Sequence, residues 1–136
     1  MQTPQPHHAP AQRRRILIAD DDRDAVVTLA ALLVDEGHEV REVYRGDAVL
    51  YYLREFRPDV LIVDINMPGM SGYDVARQVH DACGADRPAL IALTGCYRGS
   101  ADRILGRILG FDHYLTKPYD PGELLRLVRS PDRTAA

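Results

Sequence analysis

Five short β-prone runs, most of them apolar at nearly every position, are each followed by a stretch whose apolar residues return at helical spacing. A strand that is apolar on both faces belongs inside a parallel sheet covered by helices. The alternation therefore predicts repeated strand–helix units feeding a parallel sheet, an α/β fold. Strands are expected over residues 16–19, 39–43, 60–63, 89–93 and 113–116. The third of these, Val60 to Val63, is the most β-prone and stops at Asp64, just before the turn-forming MPGMSG.

Helices are expected between the strands. Over residues 23–36, Val26, Leu29, Leu32 and Leu33 share a face, and Gly37 is placed to end the helix. Asp47 is placed to cap a second helix to Phe56, with Val49, Leu50, Leu53 and Phe56 inward and Pro58 closing the segment. A third is expected over residues 72–82 and a fourth over residues 100–109. Asp120 and Pro121 make an N-cap and N1 pair for a last helix to Arg129, with Leu124, Leu127 and Val128 inward.

A hydrophobic content of 46% in 136 residues supports one packed core. Residues 1–14 are expected to form a disordered tail, 15–130 the single domain and 131–136 a polar stub, with no output domain attached. No run approaches the roughly 18 apolar residues of a membrane span. The apolar stretch after Arg13-Arg14-Arg15 ends at once in Asp20-Asp21-Asp22, which excludes a twin-arginine signal, so the expected location is the cytoplasm with no membrane contact. A net charge of -3 without a basic face argues against direct nucleic-acid binding. Cys83 and Cys96 fit neither a redox pair nor a zinc knuckle, and His38, His80 and His113 lack ligand spacing.

In an open parallel sheet, ligands gather outside the carboxyl ends of the strands. Those ends carry Asp20, Asp21 and Asp22 after strand 1, Asp64 after strand 3, Thr94 after strand 4 and Lys117 after strand 5. Carboxylates crowded at about 4 Å repel by a few kcal/mol in a partly shielded site, so a positive partner is required. Oxygen-only donors favour a hard cation such as Mg²⁺, with Mn²⁺ as an alternative, over zinc. Three aspartates after strand 1 would repel the phosphate of a flavin nucleotide. They suit instead a metal and a lysine that screen an incoming phosphoryl group while Asp64 attacks it.

The segments ILIADDD, VLIVDINMPGMSGYDVA, LIALTG and YLTKP, in that order, resemble the signature blocks of response-regulator receiver domains over about residues 15–129. The resemblance implies a flavodoxin-like, chemotaxis-regulator-like (βα)5 fold, a doubly wound parallel sheet in strand order 2-1-3-4-5. It implies that Asp64 is the phosphoacceptor, that Asp21 and Asp64 bind the metal directly, that Asp20 helps through water, and that Asn66 lends its backbone carbonyl. Thr94 and Lys117 would contact the phosphoryl oxygens, and the Lys117-Pro118 bond would be cis. Thr94 and Tyr114 would form the switch, acting on the face made by the fourth helix, fifth strand and last helix. Implied partners are a histidine kinase or histidine phosphotransfer protein and an unidentified downstream protein, with a homodimer through that face as one form of output. Gly95, where alanine is common, and the extra acid Asp22 depart from the family pattern without removing a needed group.

Other readings of these residues compete. Asp22 can serve only as a solvated helix cap, and Tyr114 can pack at a strand edge with its hydroxyl in water. A haloacid-dehalogenase-type phosphatase also uses an aspartate nucleophile, a lysine and magnesium, but carries an acid two positions after the nucleophile, where this chain has Asn66. A constitutive docking receiver that is never phosphorylated is the remaining alternative. The chain is thus expected to be a signalling domain that assists its own phosphorylation and dephosphorylation rather than an enzyme.

Overall fold

The computed structural model describes residues 13–95 and 110–131. Within them lie β1 (Arg15–Ala19), α1 (Arg23–Asp35), β2 (Glu39–Val43), α2 (Val49–Glu55), β3 (Val60–Asp64), α3 (Gly72–Cys83), β4 (Ala89–Thr94), β5 (His113–Thr116) and α4 (Pro121–Arg129). The strands form one parallel sheet in the order β2-β1-β3-β4-β5, as the resemblance implies. The helix expected over residues 100–109 and Cys96 lie outside the described residues.

Period-2 alternation divides each strand between two layers. Leu17, Ala19, Leu61, Val63, Leu90 and Ala92 pack with Val49 and Leu53 of α2 and Val75, Ala76 and Val79 of α3. Ile16, Ile18, Val60, Ile62, Ile91 and Leu93 pack on the other face with Val26, Leu29 and Leu33 of α1 and Leu124 and Val128 of α4. Leu17, Ile62 and Leu90 are fully buried. Truncating one of them to alanine costs about 2–5 kcal/mol.

The helix ends follow local chemistry. The Asp22 side chain accepts the Ala25 N–H and starts α1, Ser71 accepts the Asp74 N–H and starts α3, and Asp120 accepts the Gly122 N–H ahead of Pro121. Three expectations need correction. Asp47 does not cap α2: residues Gly46–Ala48 form a 3-10 turn, no side chain caps α2, and the Asp47 carboxylate is held by Arg45. Leu32 is 37% exposed, and Ala30 takes its place on the buried face of α1. Arg14, assigned above to the tail, is fixed: its N–H donates to His38 Nδ1 at 3.0 Å and its guanidinium to the Arg129 carbonyl at 2.6 Å.

Candidate functional site

After β1 the chain runs to β2 on one side, and after β2 it returns to β3 on the other. The strand order therefore reverses between β1 and β3, and their carboxyl ends open a crevice. Asp20 follows β1 directly and Asp64 is the last residue of β3, so the two acids flank that crevice. Both are buried, at 3% and 7% exposure, whereas Asp21 is exposed. One carboxylate oxygen from each of Asp20, Asp21 and Asp64 can be chosen so that all lie within 4.8 Å of one another.

Lys117 reaches this cluster from the end of β5. Its Nζ is 3.0 Å from Asp20 Oδ2 and 3.6 Å from Asp64 Oδ2. The Lys117 backbone N–H donates to the Thr94 carbonyl at 2.7 Å, which fixes the lysine to the end of β4, and the Lys117-Pro118 bond is cis. The Asp22 N–H donates to Asp20 Oδ1 at 3.0 Å, and the Asn66 N–H to Asp64 Oδ1 at 3.2 Å.

Burial, together with the neighbouring Asp20 carboxylate, pushes the Asp64 carboxyl up to about 6, against the opposing pull of Lys117 and the Asn66 N–H. Burial works against the Lys117 charge, but its hydrogen bond to Asp20 and the charges of Asp20, Asp64 and Asp22 hold its pKa above the usual lysine value. Among the described residues, the one Lys117 ammonium pairs with Asp20 and Asp64 while Asp21 stands in the same cluster, an excess of negative charge. The clustered donors are all carboxylate oxygens, a set that fits a hard divalent cation of the magnesium type.

Thr94, the last residue of β4, is 3% exposed and stands in register with Thr116 of β5. Tyr114, in register with Ala92, is half-buried against the core layer of α2 and α3, and its hydroxyl lies 3.4 Å from that of Tyr73 on α3. Asn66 is exposed and meets Asp64 through its N–H. Sequence reasoning missed Tyr73, since nothing in the chain links it to a residue 41 positions away. It also missed Tyr119, two residues beyond Lys117, which lines a groove of about 450 Å³ with Asp20, Lys117 and Leu32. Burial raises the Tyr119 phenol pKa, opposed by Lys117 and reinforced by Asp20. The adjacency to Lys117 was the one available signal.

No helix among the described residues is long and apolar enough to cross a membrane. Residues 16–129 match the family described as response regulator receiver domain. The chain is 36% identical over 118 residues to the DNA-binding response regulator MtrA of Mycobacterium tuberculosis, covering 87% of this chain and 50% of that protein. It therefore spans about half the length of the MtrA relatives it matches. It is 35% identical over 117 residues to PilH of Pseudomonas aeruginosa, covering 85% of this chain and 95% of PilH. Among solved structures, the chemotaxis response regulator CheY4 of Vibrio cholerae superposes with a TM-score of 0.78 at 26% identity, covering 87% of this chain and 98% of that one. The BeF3-activated receiver domain of Klebsiella pneumoniae RstA gives 0.77 at 26% identity, covering 85% and 95%. Receiver domains bind Mg²⁺ at such an aspartate cluster and interact with histidine kinases or phosphotransfer proteins. A switch-point crevice lined by three aspartates, reached by a lysine from β5 and embedded in a match over residues 16–129, thus places this chain in the response-regulator receiver family, the signalling domain of two-component systems.

Proposed function

We propose that this receiver is a phosphorelay switch whose acceptor is Asp64, phosphorylated in the cytoplasm by a histidine kinase or histidine phosphotransfer protein in the presence of Mg²⁺ or Mn²⁺. The observation that carries this reading is the buried Asp64 carboxylate lying with Asp20 and Asp21 within 4.8 Å and with Lys117 Nζ at 3.6 Å. An Asp64 oxygen supplies the electron pair that forms the new O–P bond. The N–P bond of the donor phosphohistidine breaks, and its electrons return to the imidazole, which takes a proton from solvent. Lys117, held cationic by its carboxylate neighbours, screens the transferring oxygens, and the Thr94 hydroxyl donates a hydrogen bond to one of them. Asp20, Asp21, Asp64 and the Asn66 carbonyl would hold the divalent ion, which supplies positive charge where the phosphoryl oxygens gather.

Switching then runs through Thr94 and Tyr114. A phosphoryl group draws the Thr94 hydroxyl inward, the Tyr114 ring turns into the space vacated, and the surface around β5 and α4 changes shape. Output passes by protein–protein contacts of the receiver, either to a separate downstream protein or to a second copy through that surface. Incubation with acetyl phosphate and Mg²⁺ should add the mass of one phosphoryl group to the wild type and none to Asp64→Asn. Labelling that persists in Asp64→Asn, or never appears in the wild type, would sink the reading. Loss of phosphorylation-dependent partner binding in Tyr114→Ala tests the switch separately.

A further inference from the structure

The loop that leaves Asp64 and carries Asn66 is braced by a turn from the neighbouring strand–helix unit. The Gly46 N–H, between β2 and α2, donates to the Pro68 carbonyl at 3.2 Å. A Cβ on Gly46 would stand 2.2 Å from the Met70 carbonyl oxygen and 2.9 Å from Met70 Cβ. The obstacle is backbone, so only glycine lets the two segments lie this close. From the loop side, Gly69 has φ +87° and a Cβ there would stand 2.8 Å from the Arg45 guanidinium and 3.0 Å from the Asp47 carboxylate. Arg45 and Asp47 hold each other through contacts of 3.1 and 3.2 Å. The far end of the loop is tied by the Gly72 N–H donating to the Ile65 carbonyl at 2.8 Å.

We propose that Gly46 is a positioning residue for the phosphoryl site, acting through the loop 65–70 on the backbone of Asn66; this rests on Asp64 being the phosphoacceptor. Asn66 is exposed and its N–H reaches Asp64 Oδ1 at 3.2 Å, so no core packing of its own side chain holds it in place. The Gly46 turn leads into α2, whose Val49 is buried at 1% exposure, and so anchors the loop to the core. The Arg45–Asp47 pair is solvent-exposed, and such pairs hold weakly. Ile65 is itself buried at 5% exposure with its N–H on the Leu93 carbonyl, so the core holds the start of the loop, and the close approach at Gly46 is the brace on residues 68–70. A displacement of about 1 Å at a reacting centre costs on the order of 100-fold in rate, so a loosened loop should register strongly.

The test uses the full chain and two readouts: the Mg²⁺ dissociation constant, followed on the Asn66 backbone amide by NMR, and the rate of labelling by acetyl phosphate. Gly46→Ala should weaken Mg²⁺ binding and slow labelling by roughly tenfold or more. Gly84→Ala is the control, because Gly84 has φ +57° with nothing within 4 Å of an added Cβ. It strains the backbone away from the loop and should leave both readouts at wild-type values. Should Gly46→Ala fail to fold, Arg45→Ala must show a smaller shift in the same direction. Folded Gly46→Ala with wild-type values overturns the proposal, as does equal impairment in Gly84→Ala, or an unaffected Arg45→Ala if it is the deciding variant. A wild type that is never labelled removes the phosphoacceptor reading itself, whereas a labelled wild type with unaffected variants removes only the role of Gly46.

Discussion

The two edges of the sheet handle charge in opposite ways. At the amino-end edge, the Arg87 guanidinium meets Asp112 through two contacts of 2.7 and 2.9 Å, with the side chains 11% and 6% exposed, and Asp112 also accepts the Leu90 N–H at 2.8 Å. Arg15 is bound by Glu39 at 3.1 Å, its N–H donates to Asp59 at 2.8 Å, and its guanidinium lies 4.5 Å from the Phe56 ring centre. At the carboxyl-end edge, Asp20 and Asp64 share Lys117 while Asp21 of the same cluster has no cation paired with it among the described residues. Among the described residues, the charges at the amino-end edge are paired, whereas the carboxyl-end cluster is left unbalanced in the manner of a functional site.

The contrast can be broken most forcefully at the amino-end edge. Arg87→Ala removes both guanidinium contacts from the buried Asp112 carboxylate and should destabilise by about 3–5 kcal/mol in urea unfolding. Labelling of the folded fraction should be unchanged, and a proportionate loss of labelling would mean that the two edges are not separable. A smaller effect is expected at the other edge. Mg²⁺ at ten times its dissociation constant should stabilise the wild type by about 1.4 kcal/mol, a gain reversed by chelation and lost in Asp21→Asn.

The smallest effect concerns His38, buried at 4% exposure, whose Nδ1 accepts the Arg14 N–H and whose Nε2 has no hydrogen-bond partner among the described residues. Burial lowers its pKa, Glu36 opposes this, and Arg14 and Arg129 add to the lowering. The unfolded chain then binds a proton that the folded one refuses. Stability should therefore fall as pH drops below the unfolded value of about 6.5. His38→Asn, which keeps an acceptor but does not titrate, should flatten that slope in thermal melts between pH 7 and pH 5.

Much of this was legible along the chain. The apolar runs ending in Asp20, Asp64 and Thr94 located β1, β3 and β4 to within a residue, because a strand buried on both faces tolerates no polar side chain until it reaches the rim. Asp120-Pro121 and Gly37 marked helix ends through local backbone chemistry. What escaped depends on distant partners. Asp47 has the composition of a cap, yet Arg45 takes its carboxylate because the turn is pressed against Gly69. Arg87 and Asp112 are 25 positions apart, and Leu32 carries a core residue's chemistry at a position left open along the groove with Tyr119.

The imbalance at the carboxyl-end edge is most directly tested by unfolding the wild type and Asp64→Asn at pH 8, with and without Mg²⁺. Since burial and the Asp20 charge raise the folded Asp64 pKa to about 6, above its unfolded value, ionising it costs the native state stability at pH 8. That cost fades as pH falls toward about 4. Without metal, Asp64→Asn should be the more stable protein, by a margin that closes on acidification, and Mg²⁺ should stabilise the wild type and leave the variant little changed. A metal-free wild type at least as stable as Asp64→Asn at pH 8, with neither protein responding to Mg²⁺, would contradict the account.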